Sequence, residues 1–278
     1  MSRIGKRFET LRRNGSKALI TYITAGDPDR DTTKQLVAAL EQSGADIIEL
    51  GVPFSDPLAD GATIQRASER ALHQGITLST ILRTVEAIRT RSSIPLALMS
   101  YYNPILRYGE EEFVADAVRA GVDGVIVPDL PPEEAGRLME RSRAADFDTI
   151  FLLAPTSTVE RVTLVARCST GFVYCVSVTG VTGAREDIEQ GLNRSIRMVR
   201  AHTDKPLAVG FGISTPDQAR RVARVADGVI VGSALVHIVE RNRHLEDATR
   251  EMGALVRKMK DSIGTLEAPS YGKGGSQC

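Results

Sequence analysis

The 278-residue chain carries 35 basic and 35 acidic side chains and so has no net charge at pH 7. That balance excludes a global field of the kind that gathers nucleic acid or an anionic membrane, so any anionic ligand has to be held locally. Apolar residues make up 42% and charged residues 25% of the chain, enough for a substantial core, yet no apolar run approaches the ~20 residues that span a bilayer.

Residues 2–13 read as a charged amphipathic helix that stops at Asn14-Gly15. Short runs rich in Val, Ile and Leu then recur at residues 18–23, 46–50, 96–100, 124–127, 149–153, 172–177, 206–210 and 227–231. Between them lie helical patterns with apolar residues three and four apart, as at 33–42, 81–88, 113–118 and 159–166. The runs are apolar throughout instead of alternating, as strands covered on both faces should be. Eight such β/α units predict one α/β domain over residues 1–264, a closed (β/α)8 TIM barrel with an extra amino-terminal helix. A second extra helix, 62–73, fills the long gap between the second and third runs. Ser43-Gly44, Gly75 and Ala120-Gly121 supply helix stops. From residue 265 the chain turns polar and rich in Gly, Ser and Pro, which predicts a flexible tail over 265–278.

Cys168, Cys175 and Cys278 are odd in number and have neither metal-ligand nor disulfide-framework spacing. No amino-terminal apolar segment with a cleavage site precedes the first run. Both features predict a cytoplasmic protein, and Cys168 and Cys175 read as small buried hydrophobes. His73, His202, His237 and His244 fall on helical stretches and not at strand ends, so neither a histidine-based nucleophile nor a metal site is expected.

In a barrel, function collects in the loops after the strands. Glu49 falls inside the second apolar run, where a carboxylate must be paired, protonated or used. Burial raises a carboxyl pKa and suits such a group to proton transfer near neutral pH, although pairing with a buried base or tyrosine would explain it as well. The loop that follows presents Asp56 and Asp60 as exposed acids. There Asp60 would stay ionised and accept a substrate N–H or stabilise a developing cation. After the last three runs, Gly180, Gly183, Gly212 and Gly232 allow close backbone approach, and Ser214 and Ser233 stand at or near helix starts. Glycines of this kind can serve turns alone, but three successive loops of the same character favour a phosphate site. Tyr174, inside the sixth run, is either plain core or a group orienting substrate from within the barrel.

The motifs ELGVPFSDPLADG (49–61), YNP (102–104), VPDLPPEE (127–134), GVTGAR (180–185), GFGIS (210–214) and VGSALV (231–236) occur in this order. Together they closely resemble the tryptophan synthase alpha subunit family, over residues 21–236. The resemblance implies a carbon–carbon lyase that cleaves indole-3-glycerol phosphate to indole and glyceraldehyde 3-phosphate. It implies Glu49 as general acid/base and Asp60 as partner of the indole N–H. Tyr22 would flank the indole, Tyr174 would line the pocket, and Thr182 would close over Asp60. Gly183, Gly212, Gly232 and Ser233 would hold the phosphate.

The same resemblance implies no cofactor in this chain. It implies a pyridoxal phosphate-dependent beta subunit as partner in an alpha2beta2 tetramer, docking at the strand-end loops around Pro53, Asp56, Asn103 and Pro104. Rivals stand beside this reading: a sugar-phosphate isomerase or epimerase barrel, a catalytically silent barrel that activates a partner, and an indole-producing lyase that works without a beta subunit. The first asks for polar groups at the barrel mouth, where this chain offers Leu, Val, Ile, Phe and Tyr. The second is countered by the presence of both acids.

Overall fold

A computed structural model describes residues 1–177, 185–210 and 212–264, those of 185–189 by their backbone alone. The elements follow one another as α1 (Arg3–Arg13), β1 (Ala18–Thr24), α2 (Arg30–Gln42), β2 (Ile47–Gly51), α3 (Ala62–His73), α4 (Leu78–Arg89) and β3 (Leu96–Met99). Next come α5 (Tyr102–Tyr108), α6 (Glu110–Ala120), β4 (Gly124–Ile126), α7 (Gly136–Ala144), β5 (Asp148–Ile150), β6 (Leu152–Leu153) and α8 (Val159–Cys168). The chain continues through β7 (Val173–Val176), α9 (Arg185–Arg200), β8 (Leu207–Gly210), α10 (Pro216–Ala223), β9 (Gly228–Val231), α11 (Ser233–Arg241) and α12 (Leu245–Ser262).

Every strand pairs in parallel, in the order β5-β4-β3-β2-β1-β9-β8-β7-β6. The two ends of that order are one stretch of chain, because β5 and β6 are separated by Phe151 alone. The fifth run, expected as a single strand, is therefore split. Its first half pairs with β4 and its second half with β7, and this closes an eight-position barrel. At the break the Phe151 N–H turns to the Ser169 Oγ at 3.3 Å instead of to a neighbouring strand. Phe151 itself packs into the layer between strands and helices.

Alternation along each strand decides which side chains fill the barrel. Ala18 and Ile20 of β1 and Ile47 of β2 belong to the inner cluster, whereas Leu19, Ile23, Ile48 and Leu50 pack outward against the helices. Glu49, between two outward residues, must point inward. Ile4, Phe8 and Leu11 of α1 share one face and plug the barrel's lower end, with Phe8 5.7 Å from Phe172 between ring centroids. Each such buried side chain contributes about 1.5–3 kcal/mol. This leaves the upper end as the open one.

The lower rim carries a device that the apolar pattern did not reveal. Asp46, Asp123 and Asp227 each stand one residue before a strand, and each accepts the N–H of the first or second residue of an earlier strand, Leu19, Leu96 and Leu207, at 2.6, 2.8 and 2.9 Å. Basic side chains complete each site. They are Arg7 and Lys260 at Asp46, Arg3 and Arg89 at Asp123, and Lys17 and Arg200 at Asp227. The second run therefore starts as a strand only at Ile47, and Asp46 serves as a clamp.

Several further expectations are adjusted. The long gap after β2 holds α3, with the expected bounds, and α4, which extends the expected 81–88 pattern at both ends. Asn103 and Pro104 lie in the first turn of α5 and not in a loop, a place where proline is tolerated because the first amides have no intrahelical acceptor. His202 follows α9 in a turn and His244 precedes α12 as its cap, so only His73 and His237 are helical. Gly44, Gly75 and Gly121 do adopt positive φ where helices stop. Residues 265–278 lie outside the described residues. Among the described residues no helix is long and apolar enough to cross a membrane, and none of them form a group of three or more His, Cys, Asp or Glu able to hold a metal.

Candidate active site

At the upper end of the barrel a cavity of about 200 Å³ is lined by Tyr22, Glu49, Asp60, Met99, Tyr174 and Ile230, and by the starts of two helices. The helix starts are Gly61 to Ile64 at α3 and Gly232-Ser233 at α11, with Gly212 beside them. Five of the expected site residues with described positions thus meet Glu49 and Asp60 in one space. Thr182 and Gly183 lie outside the described residues.

Glu49 is wholly buried, and neither carboxylate oxygen has a hydrogen-bond partner among the described residues. The pairing explanation therefore fails. Register places Glu49 between Tyr22 of β1 and Ala97 of β3, so no cation stands beside it on either flanking strand. Desolvation alone pushes its pKa up to about 8, leaving a protonated acid at neutral pH inside an apolar chamber.

Asp60 departs from expectation. It is half-buried, and burial raises its pKa to about 6, opposed by a hydrogen bond from Tyr101. It is ionised at neutral pH, but with less margin than an exposed acid would have. The two carboxyls are thus set on opposite sides of pH 7 by their surroundings, the arrangement that assigns one as acid and the other as anion.

Tyr101 was not foreseen as a site residue. Its hydroxyl accepts the N–H of Ala59 at 2.8 Å, and its ring lies 5.2 Å from Phe54. It therefore pins the acidic loop at both ends. Its position two residues beyond β3's last inward side chain, Met99, on the same side of the alternation, was the available signal. Met99, Ile64 and Ile230 add apolar wall that spacing alone did not single out. The three tyrosines Tyr22, Tyr101 and Tyr174 all have raised pKa values, chiefly from burial, and remain neutral hydroxyls.

Two glycines make room for the inner tyrosines. A Cβ on Gly51 would sit 2.0 Å from the Tyr22 hydroxyl, and one on Gly210 would sit 2.5 Å from that of Tyr174. Gly51→Ala is accordingly expected to drive Tyr22 out of its place beside Glu49. Overpacking of this kind costs about 1–3 kcal/mol, which urea unfolding would read, together with a higher KM for a ring-bearing substrate. Unchanged stability and KM would show that the tyrosine moves aside freely.

The helix starts divide the anion chemistry. At α10 the Gln218 side chain accepts the N–H of Ser214 and of Thr215, while Thr215 caps Gln218 in return, so its amides are occupied. Ser214 also gives its hydroxyl to Gln218. The caps of α3 and α11, Gly61 and Gly232, offer no side chain to their helices. These two uncapped starts border the cavity, and the first amides of α11 are the better placed for a dianion because Ser233 adds a hydroxyl.

Of the docking residues expected from the resemblance, Asp56 and Asn103 are exposed, Pro104 is half-buried and Pro53 is buried. Pro53 can shape the loop but presents no surface.

Comparison with known proteins identifies the family of the chain as a whole. The family model described as tryptophan synthase alpha chain matches residues 8–264. The tryptophan synthase alpha chain of Geotalea uraniireducens is 54% identical over 263 residues, covering 95% of this chain and 98% of that protein. That of Geobacter sulfurreducens is also 54% identical, covering 95% and 100%. Among solved structures, the Legionella pneumophila tryptophan synthase subunit alpha superposes with a TM-score of 0.88 at 42% identity, covering 95% and 98% of the two chains. Mycobacterium tuberculosis tryptophan synthase superposes with a TM-score of 0.85 at 42% identity, covering 94% and 98%. Sequence and fold agree over nearly the full length, and on that ground the chain belongs to the tryptophan synthase alpha chain family.

Proposed function

We propose that Glu49 and Asp60 carry out, in this chain, the reaction of its family, the cleavage of indole-3-glycerol phosphate to indole and glyceraldehyde 3-phosphate. The observation that carries the assignment is Glu49 itself, wholly buried, without a hydrogen-bond partner and facing the cavity. Folding gains nothing from such a group, so its value has to lie in chemistry.

The indole ring would occupy the apolar space between Tyr22, Ile64, Met99, Tyr174 and Ile230, with its N–H toward Asp60. Protonated Glu49 gives its proton to ring carbon 3, and the ring becomes an iminium cation. The Asp60 anion stabilises that charge as it forms. Glu49, now a carboxylate, takes the proton of the side-chain hydroxyl next to the ring. The hydroxyl carbon becomes a carbonyl, the carbon–carbon bond breaks, and its electron pair returns to the ring to neutralise the cation. Indole and the aldehyde phosphate result, and Glu49 is protonated again. One carboxyl with a pKa near 8 can serve both transfers, because it is an adequate acid and, once ionised in an apolar chamber, a strong base.

Gly212, Gly232 and Ser233 would hold the phosphate; the resemblance adds Gly183 to them, and gives Thr182 as the residue that closes over Asp60. A family partner, the beta subunit, would supply pyridoxal phosphate chemistry and receive the indole. Exposed Asp56, on the loop after β2, and exposed Asn103, in the first turn of α5, are suited to docking it, and an alpha2beta2 assembly is part of the proposal. So is a cytoplasmic setting, supported by Cys168 and Cys175, which are free thiols. The test is indole release from indole-3-glycerol phosphate with and without a beta subunit. Slow release that rises on adding beta supports the whole reading, and brisk release indifferent to beta supports the chemistry but not the partnership. No release in either case contradicts it.

A further inference from the structure

Behind the cavity wall stands an ionic junction that the reaction does not use directly. Arg70, two turns into α3, gives a bidentate pair of hydrogen bonds to Asp27 in the loop after β1, Nε to Oδ1 and Nη2 to Oδ2, both 2.8 Å. Its third arm, Nη1, reaches Oε1 of Glu240 on α11 at 3.1 Å. Arg66, one turn earlier on α3, forks onto the same Glu240 at 2.6 and 2.9 Å. Asp27 is only 3% exposed, so its charge needs this partner.

The three segments joined here each contribute wall. β1 carries Tyr22, α3 begins with Ala62 to Ile64, and α11 begins at Ser233. Between them, Tyr22, Ala67 and Val236 form a small apolar cluster with Ile64 and Met99 packed on it. Small apolar contacts of this kind hold helices together without fixing how far one slides along the other. A planar guanidinium forked between two carboxylates does fix it.

From this geometry we infer that Arg70 is a positioning residue. By holding α3 and α11 in one register about β1, it sets the distance between the apolar ring site and the anion-binding start of α11. The inference rests on the proposed function, since that distance matters only to a substrate with a flat ring at one end and a phosphate at the other. Such a substrate gains affinity from occupying both subsites at once, and the gain is lost when their spacing changes. Ligands that fill one subsite alone are indifferent to it.

The experiment compares Arg70→Met, Arg70→Lys and Glu240→Gln with the wild-type chain. Glu240→Gln weakens the α11 arm while leaving Arg70 on Asp27, and so serves if Arg70→Met folds poorly. The readouts are KM and kcat for indole-3-glycerol phosphate, and separate dissociation constants for indole and for glycerol 3-phosphate. The chain contains no tryptophan, so indole fluorescence, excited beyond the absorption of the tyrosines, reports binding without a tryptophan background. Expected is a KM raised about tenfold in Arg70→Met, kcat within about threefold of wild type, and both fragment affinities unchanged within about twofold. Arg70→Lys, which keeps the charge but loses the fork, should fall between. The inference is overturned if KM moves in neither Arg70→Met nor Glu240→Gln, or if fragment affinities drop along with that of the whole substrate, as a general loosening would cause. A wild-type chain that releases no indole from indole-3-glycerol phosphate overturns the proposed function instead.

Discussion

Glu49→Gln is expected to lose about 10²- to 10⁴-fold in indole release, the range a general acid/base supplies, and at the same time to become more stable than wild type as pH rises. The first effect follows because glutamine cannot carry the proton. The second follows from linkage. In the unfolded chain the carboxyl releases its proton near its ordinary pKa of 4.5, whereas burial delays release in the folded chain to about 8. Between these values the folded state binds more protons than the unfolded one, so wild-type stability falls as pH rises. The contribution is fully present below 4.5 and is lost as pH passes through about 8, a cost of a few kcal/mol at the upper end. Glutamine does not ionise and escapes it. Urea unfolding at several pH values from about 5 to 8 should show the two proteins diverging, the variant ahead at the alkaline end. Parallel curves would mean that Glu49 is ionised in the folded chain without penalty.

The second large effect belongs to Asp60. Asp60→Asn preserves shape and can still meet an N–H, but it removes the negative charge proposed to stabilise the ring cation. A preorganised charge at such a point is worth about 10²- to 10³-fold in kcat. The loss should appear in kcat, with affinity for glycerol 3-phosphate unchanged, because the anion site lies at α11. Since burial lifts Asp60 to about 6, wild-type activity should also fall as pH drops through that value, where the group takes up a proton. Turnover near the wild-type level in Asp60→Asn would remove the charge from the mechanism.

Much of this was readable from the chain because it depends on local pattern. Eight apolar runs spaced by helical segments announce a barrel, and a carboxylate inside one of them announces a site. The strand register then makes Glu49 inward for the same reason that Ile47 is inward and Ile48 is not. What escaped depends on nearness in space. Arg70 meets Asp27 across 43 residues and Glu240 across 170, and the aspartate clamps of the lower rim look in sequence like ordinary strand beginnings. The break at Phe151 is set by which neighbours each half of the strand faces. Asp60 looked exposed because its loop is polar, yet the loop folds back under Tyr101 and half-buries it.

The central claim is that a neutral, buried Glu49 drives the cleavage, and the most direct measurement is the pH dependence of kcat/KM for indole release in wild type and Glu49→Gln, from about pH 5 to 9. The substrate's phosphate ionises near pH 6, so the alkaline limb is the diagnostic one. The account predicts wild-type activity that falls as pH rises through about 8, where Glu49 gives up its proton, and a glutamine variant with little activity and no such limb. Wild-type activity that holds or climbs beyond pH 8, or a glutamine variant that shares the same falling limb at near-normal rates, would contradict it.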